Sequence, residues 1–184
     1  ALAERNPDRN YIGIDIKGAR MWRGAKTATE RGMANAAFLR TRIEFINSFF
    51  ASGEVDEIWI TFPDRYTADL CRKKRLTSPQ FLGYYAKFLK PDGVVHLKTD
   101  SRHLHEYTKA VIERNALPLL ACGDDIYGTG MADTDLSIQT AYERKFREQG
   151  LPITYLRFML GGRSEFEVPD FEEDDNLDAS QLGE

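Results

Sequence analysis

An α/β sandwich around a mostly parallel sheet is the fold class this 184-residue chain predicts, and three observations predict it. Short apolar runs alternate with stretches of helical length, in the order β-α-β-α-β-loop-α-β-α-β-α-β, the rhythm of strands joined by crossover helices. Two runs, Ile58–Phe62 (apolar or β-branched throughout) and Val94–Leu97 (apolar but for His96), read as strands covered on both faces. Three runs end on or just before an acid (Asp15, Asp64 and Asp100), at the strand ends where open α/β sheets bind ligands.

The elements follow in order. Ala1 to Asn6 reads as the last turn of a helix halted before Pro7, so an upstream portion is expected to precede it. Tyr11-Ile12-Gly13-Ile14-Asp15 is a short strand, and Lys17 to Arg31 a helix stopped by Gly32. Ala36 to Leu39 is a weak strand, and Ile43 to Phe50 is apolar at helical spacing. Pro63 cannot continue a central strand, so the run Ile58–Phe62 ends there. Arg65 to Thr77 is polar and basic without a clear period, hence a loop. Pro79 opens a helix whose buried stripe is Phe81-Leu82, Tyr85 and Phe88-Leu89. Lys90-Pro91-Asp92-Gly93 is a turn. Ser101 caps a helix to about Glu113, Leu117 to Ala121 is a strand, and Gly123 to Asp135, with three Gly and four Asp, is a flexible loop. Thr140 to Gln149 is a helix opened by a capping box, Thr140 with Glu143 three residues on, and Ile153 to Met159 is the last strand. Phe45, Phe49, Phe50, Tyr84 and Phe88 fit core stripes.

Composition bounds the function. One domain is expected at this length, residues 1–160, followed by an acidic tail, 161–184, that is disordered or loosely packed. The net charge of -4 hides an asymmetry: residues 1–160 carry 24 Lys and Arg against 20 Asp and Glu, about +4, while the tail carries nine acids and one base. A mildly basic body permits nucleic-acid binding without demanding it. No apolar run reaches the roughly 20 residues of a membrane span, and Cys71 and Cys122 are too few for a disulfide framework, so a reducing cytoplasm is expected.

Asp15 either accepts hydrogen bonds from ribose hydroxyls or caps the next helix. Asp64 and Asp100, on neighbouring strand ends about 4.8 Å apart, either share one rim and accept from a base edge or merely end a strand and cap a helix. Arg72-Lys73-Lys74-Arg75 is either a phosphate contact or a solvated face. His96, His103 and His105 suggest no metal: the first lies in a strand, the other two diverge on a helix, and no cysteine is expected nearby.

The order and spacing of Tyr11–Asp15, Phe62-Pro63-Asp64, Lys74-Arg75-Leu76, Phe88–Gly93, Thr99-Asp100, Thr140–Glu143 and Arg157-Phe158 resemble the bacterial tRNA (guanine-N7-)-methyltransferases, from Asn6 to about Phe158. The resemblance implies a Rossmann-like fold with an antiparallel last strand, S-adenosylmethionine as cofactor, and methylation of a guanosine in the tRNA variable loop. It implies Asp64 as the catalytic acid beside cofactor and base, Asp15 on the cofactor ribose, and Asp100 with Thr140, Ala141, Tyr142 and Glu143 on the substrate. The family's first strand and glycine-rich loop are expected before Ala1. Ala68 stands where the family has a Lys, so Arg65, Arg72 and Lys73 are the bases expected toward substrate. Thr41-Arg42 replaces the family's adenine-contacting acid, leaving backbone N–H groups around Arg42 for that purpose. The partner is then tRNA, for a monomer or homodimer with no membrane or metal. A catalytically inactive RNA-binding module is the alternative; a nicotinamide dehydrogenase has no support in the residues.

Overall fold

A computed structural model describes residues 1–66 and 69–172. The elements are α1 (Leu2–Arg5), β1 (Tyr11–Asp15), α2 (Gly18–Glu30), β2 (Ala36–Arg40), a 3-10 turn (Ile43–Ser48), β3 (Val55–Thr61), a second 3-10 turn (Asp69–Lys74), α3 (Pro79–Tyr85), β4 (Leu89–Thr99), α4 (Arg102–Arg114), β5 (Leu119–Gly123), α5 (Ala141–Glu148) and β6 (Thr154–Met159). They fall into two compact units, Ala1–Phe49 and Phe50–Glu184.

In the first unit, β1 and β2 pair in parallel with α2 as their crossover, Tyr11 opposite Ala36 and Asp15 opposite Arg40. Asn35 ties the chain start to this pair, its amide donating to the carbonyls of Ala3 (2.8 Å) and Arg9 (2.9 Å). Ile43–Ser48 winds as a 3-10 turn, and Ile46 is its buried residue. Phe45 and Phe49, expected in a core stripe, are instead 58% and 48% exposed. At three residues per turn Phe45 points about 120° away from Ile46, and Phe49 lies past the turn as its C-cap.

The second unit holds a four-stranded sheet in the order β3-β4-β6-β5. β4 runs parallel to β3, and β6 runs antiparallel to both its neighbours, so the expected mostly parallel sheet with an antiparallel last strand is what forms. The sequence suggests Ile58–Phe62 as the fully buried strand. Among the described residues β3 lies at a sheet edge and only Ile60 is fully buried, whereas Val95 to Thr99 of β4 are all below 6% exposed. β4, flanked on both sides by β3 and β6, is an inner strand. Its start is irregular: Val55 faces Leu89 and Glu57 already faces Val94, so Lys90–Gly93 forms the expected turn as a bulge within the strand. Gly93 is required there, because a Cβ would lie 2.6 Å from Leu89 Cγ.

The α3 stripe is buried as read from its spacing, with Phe81, Leu82, Tyr85 and Phe88 all at 4% exposure or less. Ser101 caps α4, its hydroxyl accepting from Leu104 N at 3.1 Å. Two stretches are more firmly held than their composition suggests. The Gly- and Asp-rich segment from Gly123 to Asp135 is anchored by Ile126, fully buried beside Leu136, Ile153 and Tyr155, and by Ile126 N donating to Ile153 O at 2.9 Å. The described start of the acidic segment packs back on α4. Glu167 N donates to Asn115 Oδ1 (2.7 Å), Asn115 returns a bond to Glu167 O (3.0 Å), and the Phe171 ring sits 5.5 Å from both His103 and Tyr107. Apolar anchors set in polar sequence account for both differences.

His96 in β4 lies flat on Trp59 of β3, ring centroids 3.9 Å apart, and meets Tyr155 Oη at 2.7 Å. Burial pushes its pKa down to about 4. The folded state therefore keeps His96 neutral where the unfolded chain, near 6.5, binds a proton. The stabilisation is complete above about pH 6.5 and is lost as pH falls from there toward 4. Urea unfolding followed between pH 7 and 4 is expected to show this loss, on the order of 3 kcal/mol, and His96→Gln is expected to flatten that part of the profile.

Candidate functional site

The first unit contributes one carboxylate at a strand end. Asp15 closes β1, and its Oδ1 accepts from Lys17 N at 2.8 Å, so it turns the chain into α2. The helix-entry reading therefore holds for one oxygen. Oδ2 stands 3.8 Å from Arg20 and the side chain is partly exposed, which leaves acceptor capacity for vicinal hydroxyls. Arg42 precedes the 3-10 turn and pairs with Glu44 at 3.0 Å, and that hydrogen bond lowers the Glu44 pKa. An acid is thus present at this turn two residues after Arg42, a position the sequence reading passed over.

In the second unit the polypeptide turns sharply as it leaves β3. The strand stops at Thr61, one residue earlier than Pro63 alone requires, because Phe62 adopts φ 49°. A bulky residue in the left-handed region, directly before proline, costs roughly 1–3 kcal/mol. Two contacts hold it there: Phe62 N donates to Lys98 O at 2.9 Å, and the ring stacks on Phe146 of α5 at 6.2 Å. The reversal leaves Asp64 exposed, with no hydrogen bond or ion pair to any described residue.

Asp100 lies at the end of the adjacent strand, since Thr61 pairs with Lys98. It is buried and does not cap α4, a task Ser101 performs. Arg65 donates to Asp100 Oδ2, so this carboxylate is already engaged, and Arg65 reaches the sheet end through it. The strands that precede the two acids are neighbours, and of the two only Asp64 is without a partner among the described residues.

The basic cluster divides. Arg75, read as a phosphate contact, is completely buried. Its Nε donates to Tyr66 O at 2.9 Å, Nη2 meets His103 Nε2 at 3.1 Å, and the guanidinium lies 4.3 Å above the Tyr107 ring. It braces the loop carrying Asp64 and cannot reach a phosphate. Arg72 is half-buried and donates to Phe171 O at 2.8 Å. Lys73 and Lys74 are exposed. Ala68 lies outside the described residues.

Thr140 to Glu143 forms the capping box its spacing predicts: Thr140 Oγ1 accepts from Glu143 N (3.1 Å), and Glu143 Oε2 from Thr140 N (3.2 Å). Tyr142 is half-exposed, but Glu143 is wholly buried. Its Oε1 meets Lys98 Nζ at 2.6 Å and accepts from Tyr127 Oη at 2.6 Å. Lys98 also donates to Leu136 O (2.6 Å) and Ile138 O (3.2 Å). Arg147 covers the Tyr127 ring at 3.8 Å. Burial lowers the Lys98 pKa while Glu143 opposes that shift, and burial with the Glu143 bond pushes the Tyr127 hydroxyl up to about 12. Lys98 is the residue sequence reasoning missed. The available signal was a lone lysine inside an apolar strand, which demands a buried counter-charge. The histidines do point apart, but the structure corrects one premise: Cys122 Sγ lies 3.9 Å from His105 Nε2.

A family model described as "Putative methyltransferase" matches residues 1–156. The tRNA (guanine-N(7)-)-methyltransferase of Porphyromonas gingivalis is 51% identical over 173 residues, covering 93% of this chain and 70% of that protein. The protein of the same name from Christiangramia forsetii is 51% identical over 160 residues, 86% of this chain and 71% of that protein. Among solved structures, the 16S rRNA methyltransferase KamB aligns with a TM-score of 0.63 at 16% identity, covering 86% of this chain and 80% of that one, a likeness of fold.

The Lys98–Glu143 pair yields a measurable coupling. Removing either charge (Lys98→Met or Glu143→Gln) leaves the other buried and unpaired and is expected to cost about 3–5 kcal/mol in urea unfolding. The double variant is expected to recover a large part of that loss; losses that simply add would mean the two charges do not support each other.

Proposed function

The chain belongs to the tRNA (guanine-N(7)-)-methyltransferase family, and on that footing we propose that it moves a methyl group from S-adenosylmethionine to N7 of a guanosine in the tRNA variable loop. The observation that carries the reading of the site is the exposed Asp64 carboxylate, without a partner among the described residues and lying past the end of β3 after the reversed backbone at Phe62. Asp15 is assigned to the cofactor ribose, and backbone groups around Arg42 to its adenine. The free acceptor capacity of Asp15 and the strand-end placement fit that assignment. When bound, S-adenosylmethionine supplies a methyl group already activated on a sulfonium.

Guanine N7 carries an available lone pair, so no side chain needs to remove a proton. The work left to the protein is alignment, which contributes about 7–11 kcal/mol in well-oriented reactions, and support of the positive charge that spreads over the ring. Asp64 accepts from the N1–H and N2–H edge and stabilises that charge. Asp100 keeps lone pairs beyond the one given to Arg65 and shares the task. Glu143 acts from beneath, fixing Thr140, Ala141 and Tyr142 where a nucleoside can meet them. Lys73 and Lys74 face phosphates; Arg65 and Arg72 steady the rim and the basic turn. We place these activities in a methyltransferase domain, residues 1–160, with the acidic segment 161–184 after it. The cytoplasm suits both a tRNA substrate and two free cysteines. No described helix is long and apolar enough to cross a membrane.

Incubation with labelled S-adenosylmethionine and unmodified tRNA, followed by nucleoside analysis, is expected to yield 7-methylguanosine. Binding of tRNA without any product would instead favour an inactive RNA-binding module. Asp64→Ala is expected to lower kcat about 10²-fold or more while changing tRNA affinity little; equal losses in both would remove Asp64 from the chemistry. Lys73→Ala with Lys74→Ala is expected to weaken tRNA binding and reduce the slope of log K against log salt by roughly one per contact. An unchanged slope would exclude them as phosphate contacts.

A further inference from the structure

We propose that His105, Cys122 and Asp124 form a binding site for a divalent transition-metal ion of the zinc class, at the carboxyl end of β5, the same end of the sheet as Asp100 but two strands away from β4. One ligand atom from each residue lies within 4.8 Å of the other two. His105 Nε2 is 3.2 Å from Asp124 Oδ1 and 3.9 Å from Cys122 Sγ. Zinc bonds of about 2.0–2.3 Å at tetrahedral angles put ligand atoms about 3.3–3.6 Å apart, so small side-chain adjustments close the site.

The local backbone explains the convergence. Cys122 and Asp124 are two residues apart at the end of an extended strand and so share one face. Gly123 between them turns to the other face, where a Cβ would stand 2.7 Å from Met131 Sδ, so the strand end sits tight against Met131. His105 comes from the first half of α4 with its ring wholly buried. Nδ1 has no hydrogen-bond partner among the described residues, so the polar contacts of this ring are confined to Cys122 and Asp124.

The arrangement differs from a nucleophile relay. A relay places the thiol on one ring nitrogen and the acid on the other; here both converge on Nε2, as ligands around an ion do. The charges also suit a divalent cation. One thiolate and one carboxylate neutralise it, while Lys109, whose charge reaches Cys122, is held by Glu106 at 3.0 Å. Thiolate, imidazole and carboxylate together select zinc-like ions over magnesium or calcium. Three protein ligands, two of them exposed, leave a fourth position to water.

Cobalt(II) added alone to the intact protein tests the assignment by absorption spectroscopy. The native protein and Cys71→Ser are expected to show tetrahedral d–d bands with a thiolate-to-cobalt charge-transfer band, displaced by zinc. Cys122→Ser is expected to abolish the charge-transfer band, and Asp124→Asn to weaken cobalt binding about tenfold or more. Both substitutions alter exposed side chains, and circular dichroism is the check that the variants remain folded. Absence of the band in the native protein, its survival in Cys122→Ser, or unchanged affinity in Asp124→Asn would overturn the site. None of these readouts depends on methyl transfer.

Discussion

The buried pair between Lys98 and Glu143 is the constraint on which the second unit depends. A lysine in an inner strand of a sheet is tolerated only because a carboxylate, two backbone carbonyls and the face of Tyr127 receive it. That requirement draws the segment after Ile126 against the sheet and fixes where α5 begins. Glu143 answers the charge and closes the capping box with one side chain. The strand that ends at Asp100 and the helix that starts after Thr140 are therefore held in register by electrostatics, with the apolar cluster around Ile126, Leu136, Ile153 and Tyr155 excluding water beneath them.

The loop after β3 rests on the same support. Phe62 holds an unfavourable backbone angle because its N–H meets the carbonyl of Lys98 and its ring meets Phe146 of α5. Tyr66, also at positive φ, is tied by Arg75. Between these two fixed points, Arg65 binds Asp100, and Asp64 has no partner among the described residues. Strain at both ends, with a carboxylate between them that has no partner among the described residues, fits the role proposed for Asp64. This is the arrangement expected where alignment, and not proton transfer, limits a reaction.

Much of this was legible in the chain. The alternation of apolar runs and helical stretches carried the fold class, because burial and hydrogen bonding leave few ways to arrange such segments. The spacing of Thr140 and Glu143 carried the capping box, and Ser101 its helix cap, because both are interactions within one turn. What escaped were pairings across long separations. Glu143 read as a local cap and proved to be the partner of Lys98, 45 positions earlier. Arg75 read as one of four similar bases and proved to be buried under Tyr107. His105 and Cys122 stood 17 positions apart with nothing in the string to join them. That β3 has a single neighbouring strand among the described residues was equally hidden, since an apolar run does not say how many neighbours its strand has.

By itself, then, the sequence determined the elements, the antiparallel last strand implied by its resemblance, and the acids that end the strands. These follow from backbone stereochemistry, hydrophobic periodicity and motif order, all of which act along the chain. Only the tertiary structure decided which charges are free. Asp64 is exposed and Asp100 occupied, Lys73 and Lys74 face solvent and Arg75 does not, and Glu143 holds the framework from below. The reason is physical: a charge is available for chemistry only when no counter-charge or carbonyl has satisfied it, and satisfaction is settled by neighbours in space.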